Sequence, residues 1–325
     1  MLNVYFASKN RFEKHDDLSA LVLMPDMAWL DLLNPSAVEE KKIESLLGFE
    51  LPTREEMQDL EPSSRLYEEN GVLYMTATIL WKADTDEPES ANISFILSRE
   101  RLVTVRYAEP KPFTTFSQYA AREGNSCTDA PSTLVNLLEA IVDRAAEILE
   151  FTGKAVDDLT RHAFTRSAKG KRRGGGDLED ILRTVAVHQN MTAKVRDSLV
   201  SLGRMTGFVA LAPSIKGNLD HSSRMASLTH DIKSLTDHAS FLSTNISFML
   251  DASLGLINIE QNAIIKIFSV AAVVFLPPTL VASIYGMNFA IMPELHWSFG
   301  YPVALGLMVI SAILPYLWFK QKGWL

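Results

Sequence analysis

Two segments near the C-terminus, residues 267–285 and 301–319, contain no Asp, Glu, Lys or Arg. Each has about the length that crosses roughly 30 Å of hydrocarbon. Lipid offers no partner for backbone N–H and C=O groups, so an isolated span of this kind folds as a helix. The intervening residues 286–300 carry Glu294 and His296 but no Lys or Arg, whereas Lys266 precedes the first span and Lys320 and Lys322 follow the second. That asymmetry predicts both ends in the cytoplasm and the short loop outside. Trp297, Tyr301, Tyr316, Trp318 and Trp324 stand where interfacial aromatics are expected. The N-terminus lacks a basic lead followed by a long apolar core, so no signal peptide is expected and the large body ahead of the spans stays in the cytoplasm.

That body is ordinary in composition. The formal net charge of the chain is −8, which argues against a nucleic-acid partner. The single cysteine, Cys127, excludes an internal disulfide framework and a cysteine-based zinc cluster, and fits a reducing compartment. Residues 1–125 read as a mixed α/β domain. Asn70-Gly71 predicts a type I′ hairpin turn ahead of a strand over 72–81. A second strand pair is expected over 93–97 and 102–106, and a helix over 36–47 between Pro35 and Gly48.

Residues 126–217 read as a helical hairpin region. Ser132 is the expected N-cap of its first helix, whose Leu134, Leu137, Leu138, Ile141, Ala145 and Ile148 have helical spacing. The basic run Lys169-Gly170-Lys171-Arg172-Arg173-Gly174-Gly175-Gly176 lacks the order of a phosphate-binding loop and reads as a solvated connection. Helical pattern resumes over 178–209, and Gly207, Pro213 and Gly217 mark a break. From residue 218 no proline occurs before Pro277. A continuous helix over 218–285 would be on the order of 100 Å long, too long for a globular core. The reading is therefore a stalk helix over 218–266, membrane spans over 267–285 and 301–319, an extracytoplasmic loop over 286–300, and a basic tail over 320–325.

Within the stalk and first span, Asn262, Ile265, Ser269, Ala272, Leu276, Thr279 and Ser283 recur every three or four residues. A stripe of small and polar side chains is either a close helix–helix contact or a pore lining. Pro277-Pro278-Thr279 lies inside the same span, which a simple membrane anchor does not need.

Tyr285-Gly286-Met287-Asn288-Phe289, followed by Met292-Pro293-Glu294-Leu295, resembles the CorA family of magnesium transporters. The likeness extends to 257–262, to Phe275-Leu276-Pro277-Pro278-Thr279 and to 315–320. It implies a homopentameric funnel in the inner membrane, with the first span of each subunit lining a central pore. It places the selectivity filter at Gly286, Met287 and Asn288, with Asn262, Ile265, Leu276, Thr279 and Ser283 along the pore and gate. Glu294 is expected at the outer mouth, where a negative rim concentrates cations. The resemblance also implies feedback by intracellular Mg2+, for which Asp231, Asp237 and Asp251 are the candidate regulatory ligands. Mg2+ is then both substrate and regulator, with no other cofactor, and Co2+ and Ni2+ are further expected cargoes. The partners implied are the lipid bilayer, divalent cations and other copies of the chain.

Two other readings compete. A zinc-moving relative usually carries Ile where this chain has Met287. A membrane-anchored enzyme would need a site, yet the sequence has no His-Glu-x-x-His, nucleophile elbow or dinucleotide-binding glycines.

Overall fold

The structure, a computed structural model, describes residues 2–6, 11–15, 23–59, 61–85, 87–120, 127–168, 175–288, 292 and 297–323. The chain divides into two compact units, Met1–Leu250 and Asp251–Leu325.

The first unit is built on a seven-stranded mixed sheet. Its strands are β1 (Leu2–Phe6), β2 (Arg11–His15), β3 (Met27–Leu33), β4 (Leu66–Glu69), β5 (Val72–Trp81), β6 (Glu89–Leu97) and β7 (Leu102–Arg106), in the spatial order β2-β1-β3-β7-β6-β5-β4. Among the described strands only β3 and β7 pair in parallel. The Asn70-Gly71 turn forms as the sequence predicts. Both residues have positive φ, 53° and 78°, and they join β4 to β5 with Glu69 opposite Val72.

Both faces of the sheet are covered, so its central strands are apolar on both sides. Residues Leu73, Met75, Ala77 and Ile79 of β5 face a core shared with α3 (Lys111–Ala120), α4 (Ala130–Ala168) and α5 (Gly175–Val209). Val72 and Tyr74 face the other core, closed by Ile43 of α1 (Ala37–Leu47) and by Leu51 and Met57. Helix α1 begins in a capping box between Ser36 and Glu39 and ends at Gly48, whose φ of 79° suits a residue without Cβ. A short helix α2 (Pro62–Arg65) leads into β4.

A buried polar network sits where β3 and β7 pair. Asp31 accepts from Arg106 Nε and Nη2, both at 2.8 Å, from Thr104 Oγ1 at 2.8 Å and from Asn3 Nδ2 at 3.1 Å. Trp29 Nε1 donates to Thr104 Oγ1 at 3.0 Å, and Arg106 Nη1 donates to the Ala108 carbonyl at 2.8 Å. The Arg106 guanidinium also lies 4.8 Å from the Phe113 ring centroid. Buried charges are tolerated when paired and hydrogen-bonded in this way.

Helix α4 does not start with Ser132 as its cap. It begins at Ala130, and Asp129 takes the capping position. The Asp129 carboxylate accepts from the Ser132 N–H at 2.8 Å, while the Ser132 hydroxyl accepts from the Asp129 N–H at 3.0 Å. Pro131 in the first turn has no N–H to satisfy, which allows the earlier start. Substituting Asp129→Ala is expected to cost about 1 kcal/mol of stability, read from thermal melting. An unchanged melting point would remove the capping assignment.

Helix α5 ends near the predicted break. After α6 (Pro213–Lys216), α7 runs unbroken from Leu219 to Tyr285, with the Asn218 side chain accepting from the Asp220 N–H at 2.9 Å. Within the first unit α7 packs on α4 and α5 through Met225, Leu228, Ile232, Leu242, Ile246 and Met249. The approach to α5 is close: a Cβ on Gly203 would lie 3.3 Å from Ile232 Cγ2.

Candidate functional site

In the second unit, α7 continues to Tyr285 and α8 (Gly300–Gln321) returns beside it, with Lys266 Nζ donating to the Gly323 carbonyl at 3.4 Å. Both helices are long and apolar enough to cross a membrane. Burial distinguishes two sides of α7. Between positions 270 and 285 the residues that are not exposed are Val270, Ala271, Val274, Pro277, Pro278, Val281 and Tyr285. At about 100° per residue they share one side of the helix, its less exposed side. On the same count Asn262, Ile265, Ser269, Ala272, Leu276, Thr279 and Ser283 fall in an arc of roughly 100° on the opposite side. All seven are exposed, Ile265 at 60% and Leu276 at 65%. Within one chain, then, the small and polar stripe is not the contact between the two spans.

Pro277 and Pro278 lie inside α7, and each lacks the N–H that would bond the carbonyl four residues back, on Val273 and Val274. Thr279 Oγ1 donates to the Phe275 carbonyl. Its proton is therefore spent, and its lone pairs remain as acceptors on the exposed side. Lipid-facing backbone does not tolerate unmet carbonyls, whereas a water-lined cavity does.

The helix ends in the turn identified from sequence. Gly286 N–H donates to the Ala282 carbonyl at 2.9 Å and Met287 N–H to the Ile284 carbonyl at 3.2 Å. A Cβ on Gly286 would come within 3.1 Å of the Ala282 carbonyl oxygen, so a larger residue crowds the turn. Met287 and Asn288 are exposed. Glu294 lies outside the described residues.

The candidate regulatory acids are placed differently. Asp231 lines a groove of about 400 Å³ in the first unit with Glu139, Asp143 and Arg224. Arg224 is bound to Glu139 through Nε at 3.0 Å and Nη2 at 2.5 Å, and to Asn136 Oδ1 at 2.6 Å. Burial, reinforced by the negative fields of Glu139, Glu147 and Asp231, raises the Asp143 carboxyl above its ordinary range. Asp237 and Asp251 are exposed on α7. Among the described residues, no three His, Cys, Asp or Glu side chains gather closely enough to hold a metal ion. Sequence reasoning found Asp231 but missed Glu139 and Asp143 facing it. Their i, i+4 spacing on α4 is readable; the helix opposite them is not.

The family model described as CorA-like Mg2+ transporter protein matches residues 25–321. The chain is 36% identical over 321 residues to the magnesium transport protein CorA of Pectobacterium atrosepticum, covering 98% of this chain and 96% of that protein. It is 34% identical to the magnesium transport protein CorA of Salmonella typhimurium over the full length of both. In fold it is similar to the complete structure of the CorA magnesium transporter from Methanocaldococcus jannaschii, with a TM-score of 0.73, 18% identity and coverage of 100% of this chain and 98% of that one. A match this long, to a transporter family rather than an enzyme family, joins the α/β body, the long helix and the two spans into one assignment: the chain belongs to the CorA family.

Proposed function

We propose that this protein carries Mg2+ passively across the inner membrane as a homopentamer, with N- and C-termini in the cytoplasm. The observation that carries the reading is the exposed stripe of α7, opposite its less exposed side and ending at Gly286-Met287-Asn288. Five copies of that stripe around an axis would line a pore. Mg2+ dehydrates reluctantly and usually keeps several waters. Those waters point their hydrogens outward, so the ion's shell needs acceptors. A ring of Asn288 side-chain carbonyls provides neutral acceptors at the mouth, and the Thr279 oxygens provide them below. Neutral acceptors also let the ion leave, as conduction requires. Leu276, one turn before Thr279, forms an apolar constriction that gates by dewetting, and Asn262, Ile265 and Ser283 complete the lining. Glu294 raises the local cation concentration outside.

An inside-negative potential drives a divalent ion inward by about 4.6 kcal/mol per 100 mV, twice the value for one charge, so no nucleotide is required. Intracellular Mg2+ that binds only the closed form, through Asp231, Asp237 or Asp251, would stabilise that form by mass action. Co2+ and Ni2+ are proposed as additional cargoes.

The test is uptake of Mg2+ and Zn2+ into liposomes holding the purified chain and an imposed potential, without ATP. Native protein is expected to take up Mg2+, and Asn288→Ala to lose about tenfold or more of that flux, consistent with removing a polar partner from an ion's shell. Undiminished, unselective flux through Asn288→Ala would defeat the filter assignment. Zn2+ uptake in preference to Mg2+ would make the chain a zinc carrier instead.

A further inference from the structure

A cavity of about 710 Å³ opens between α4, α5 and the turn that follows β5. Its floor is apolar, with Ile148 and Phe151 of α4 facing Val187 and Met191 of α5. That volume and lining suit a small molecule. Phe151 stands 67% exposed there, its ring centroid 6.2 Å from that of His188. Covering so open an apolar ring is favourable.

Two polar groups of the lining lack partners. Among the described residues neither imidazole nitrogen of His188 is hydrogen-bonded. Thr152 is fully buried in the wall, and its hydroxyl has no partner among those residues either. Buried polar groups normally find one.

The charges narrow the class of occupant. Arg144 is committed to its neighbours, with Nη2 bonding Asp84 at 2.5 Å and Nη1 bonding Glu147 at 2.9 Å. Lys111 reaches Asp84 as well, at 3.3 Å, and Asp180 and Arg183 on α5 are opposite in sign. Acids and bases therefore balance, and the cavity favours an ion of neither sign. Burial lowers the His188 pKa, so at neutral pH the imidazole is uncharged and offers one N–H donor and one bare acceptor.

We propose that this cavity binds a small uncharged heteroaromatic molecule that carries both a donor and an acceptor, held by the Phe151 ring and by hydrogen bonds with His188. Gln189, next in sequence, donates to Ser243 of α7 at 3.1 Å, so the occupant sits beside a brace of the long helix. The site belongs to the body of the protein and does not rest on the ion-transport reading.

The experiment is saturation-transfer NMR titration of the full chain in nanodiscs at neutral pH, with empty nanodiscs as the blank. The probes are benzimidazole, which has a ring N–H and a bare ring nitrogen, indole, which lacks the acceptor, and the ions benzoate and benzylammonium. Benzimidazole is expected to half-saturate at about 1 mM or below, the range for a ligand of its size. Indole should bind about fivefold more weakly, and the two ions more weakly still. His188→Phe keeps a ring in place but should cost benzimidazole about fivefold to tenfold while sparing indole. Val187→Phe fills the cavity and should abolish binding of both. Melting curves like that of the native chain separate lost binding from lost folding. No benzimidazole binding by the native chain, equal binding by His188→Phe, or either ion binding as tightly as benzimidazole overturns the proposal. So does a Phe151→Ala variant whose assembly mass changes while its affinity for benzimidazole does not, which would assign the cavity to a second copy.

Discussion

Replacing Asp31 with Ala is expected to destabilise the body by about 3–5 kcal/mol, because it leaves the Arg106 guanidinium buried without its anion. Asp31 is 3% exposed and Arg106 6%, so water cannot take over the lost contacts. The damage spreads through the network. Thr104 loses its acceptor, and Trp29, which bonds Thr104, packs 5.4 Å from Phe116 and 6.2 Å from Phe113 on α3. For a body of this size the penalty lowers the melting temperature by roughly 10 °C. Melting of the full chain in detergent, followed by tryptophan fluorescence, is the measurement. The double variant Asp31→Leu/Arg106→Met is expected to recover most of the loss, since a packed apolar pair often matches a buried ion pair. A single-variant loss below about 1 kcal/mol would mean that the pair contributes little and that water reaches Arg106.

Two lysine substitutions in the first span should behave in opposite ways. Val274 is half-buried on the less exposed side of α7, and Leu276 is exposed on the stripe side. Both lie near the middle of the span. A charge at the centre of a membrane helix costs about 2.5–3.5 kcal/mol when it must enter the hydrocarbon or a dry contact. Val274→Lys is therefore expected to deplete the chain from the membrane fraction. In the proposed pentamer Leu276→Lys meets water instead, so the protein inserts and assembles, but a ring of ammonium groups blocks divalent cations. The readouts are membrane-fraction yield, assembly mass in detergent, and Mg2+ uptake in liposomes. Equal loss of insertion by both variants would rule out a water-facing stripe and make that side a dry helix contact. Normal Mg2+ uptake by Leu276→Lys would remove Leu276 from the pathway.

Much of the fold is legible along the chain because its signals are local. The two uncharged spans, the Asn70-Gly71 turn and the edges of α1 each depend on residues within a few positions of one another. The helical spacing of Asn262 to Ser283 is local in the same sense, and so is the Gly286-Met287-Asn288 turn. The sequence by itself therefore determined the spans, the long helix and the family.

What the tertiary structure decided involves partners far apart in the chain. Arg106 finds Asp31 across 75 positions because β3 and β7 pair in parallel, an order that no local pattern encodes. Asp129 displaces Ser132 as the cap of α4 because the helix starts one turn earlier, around a proline. The stripe on α7 left two readings open, and only burial shows that within the chain the stripe is exposed and the covered side lies opposite. Likewise Asp143 meets Asp231 across one groove only once the helices have packed. Periodicity states which residues share a face; burial states what that face meets.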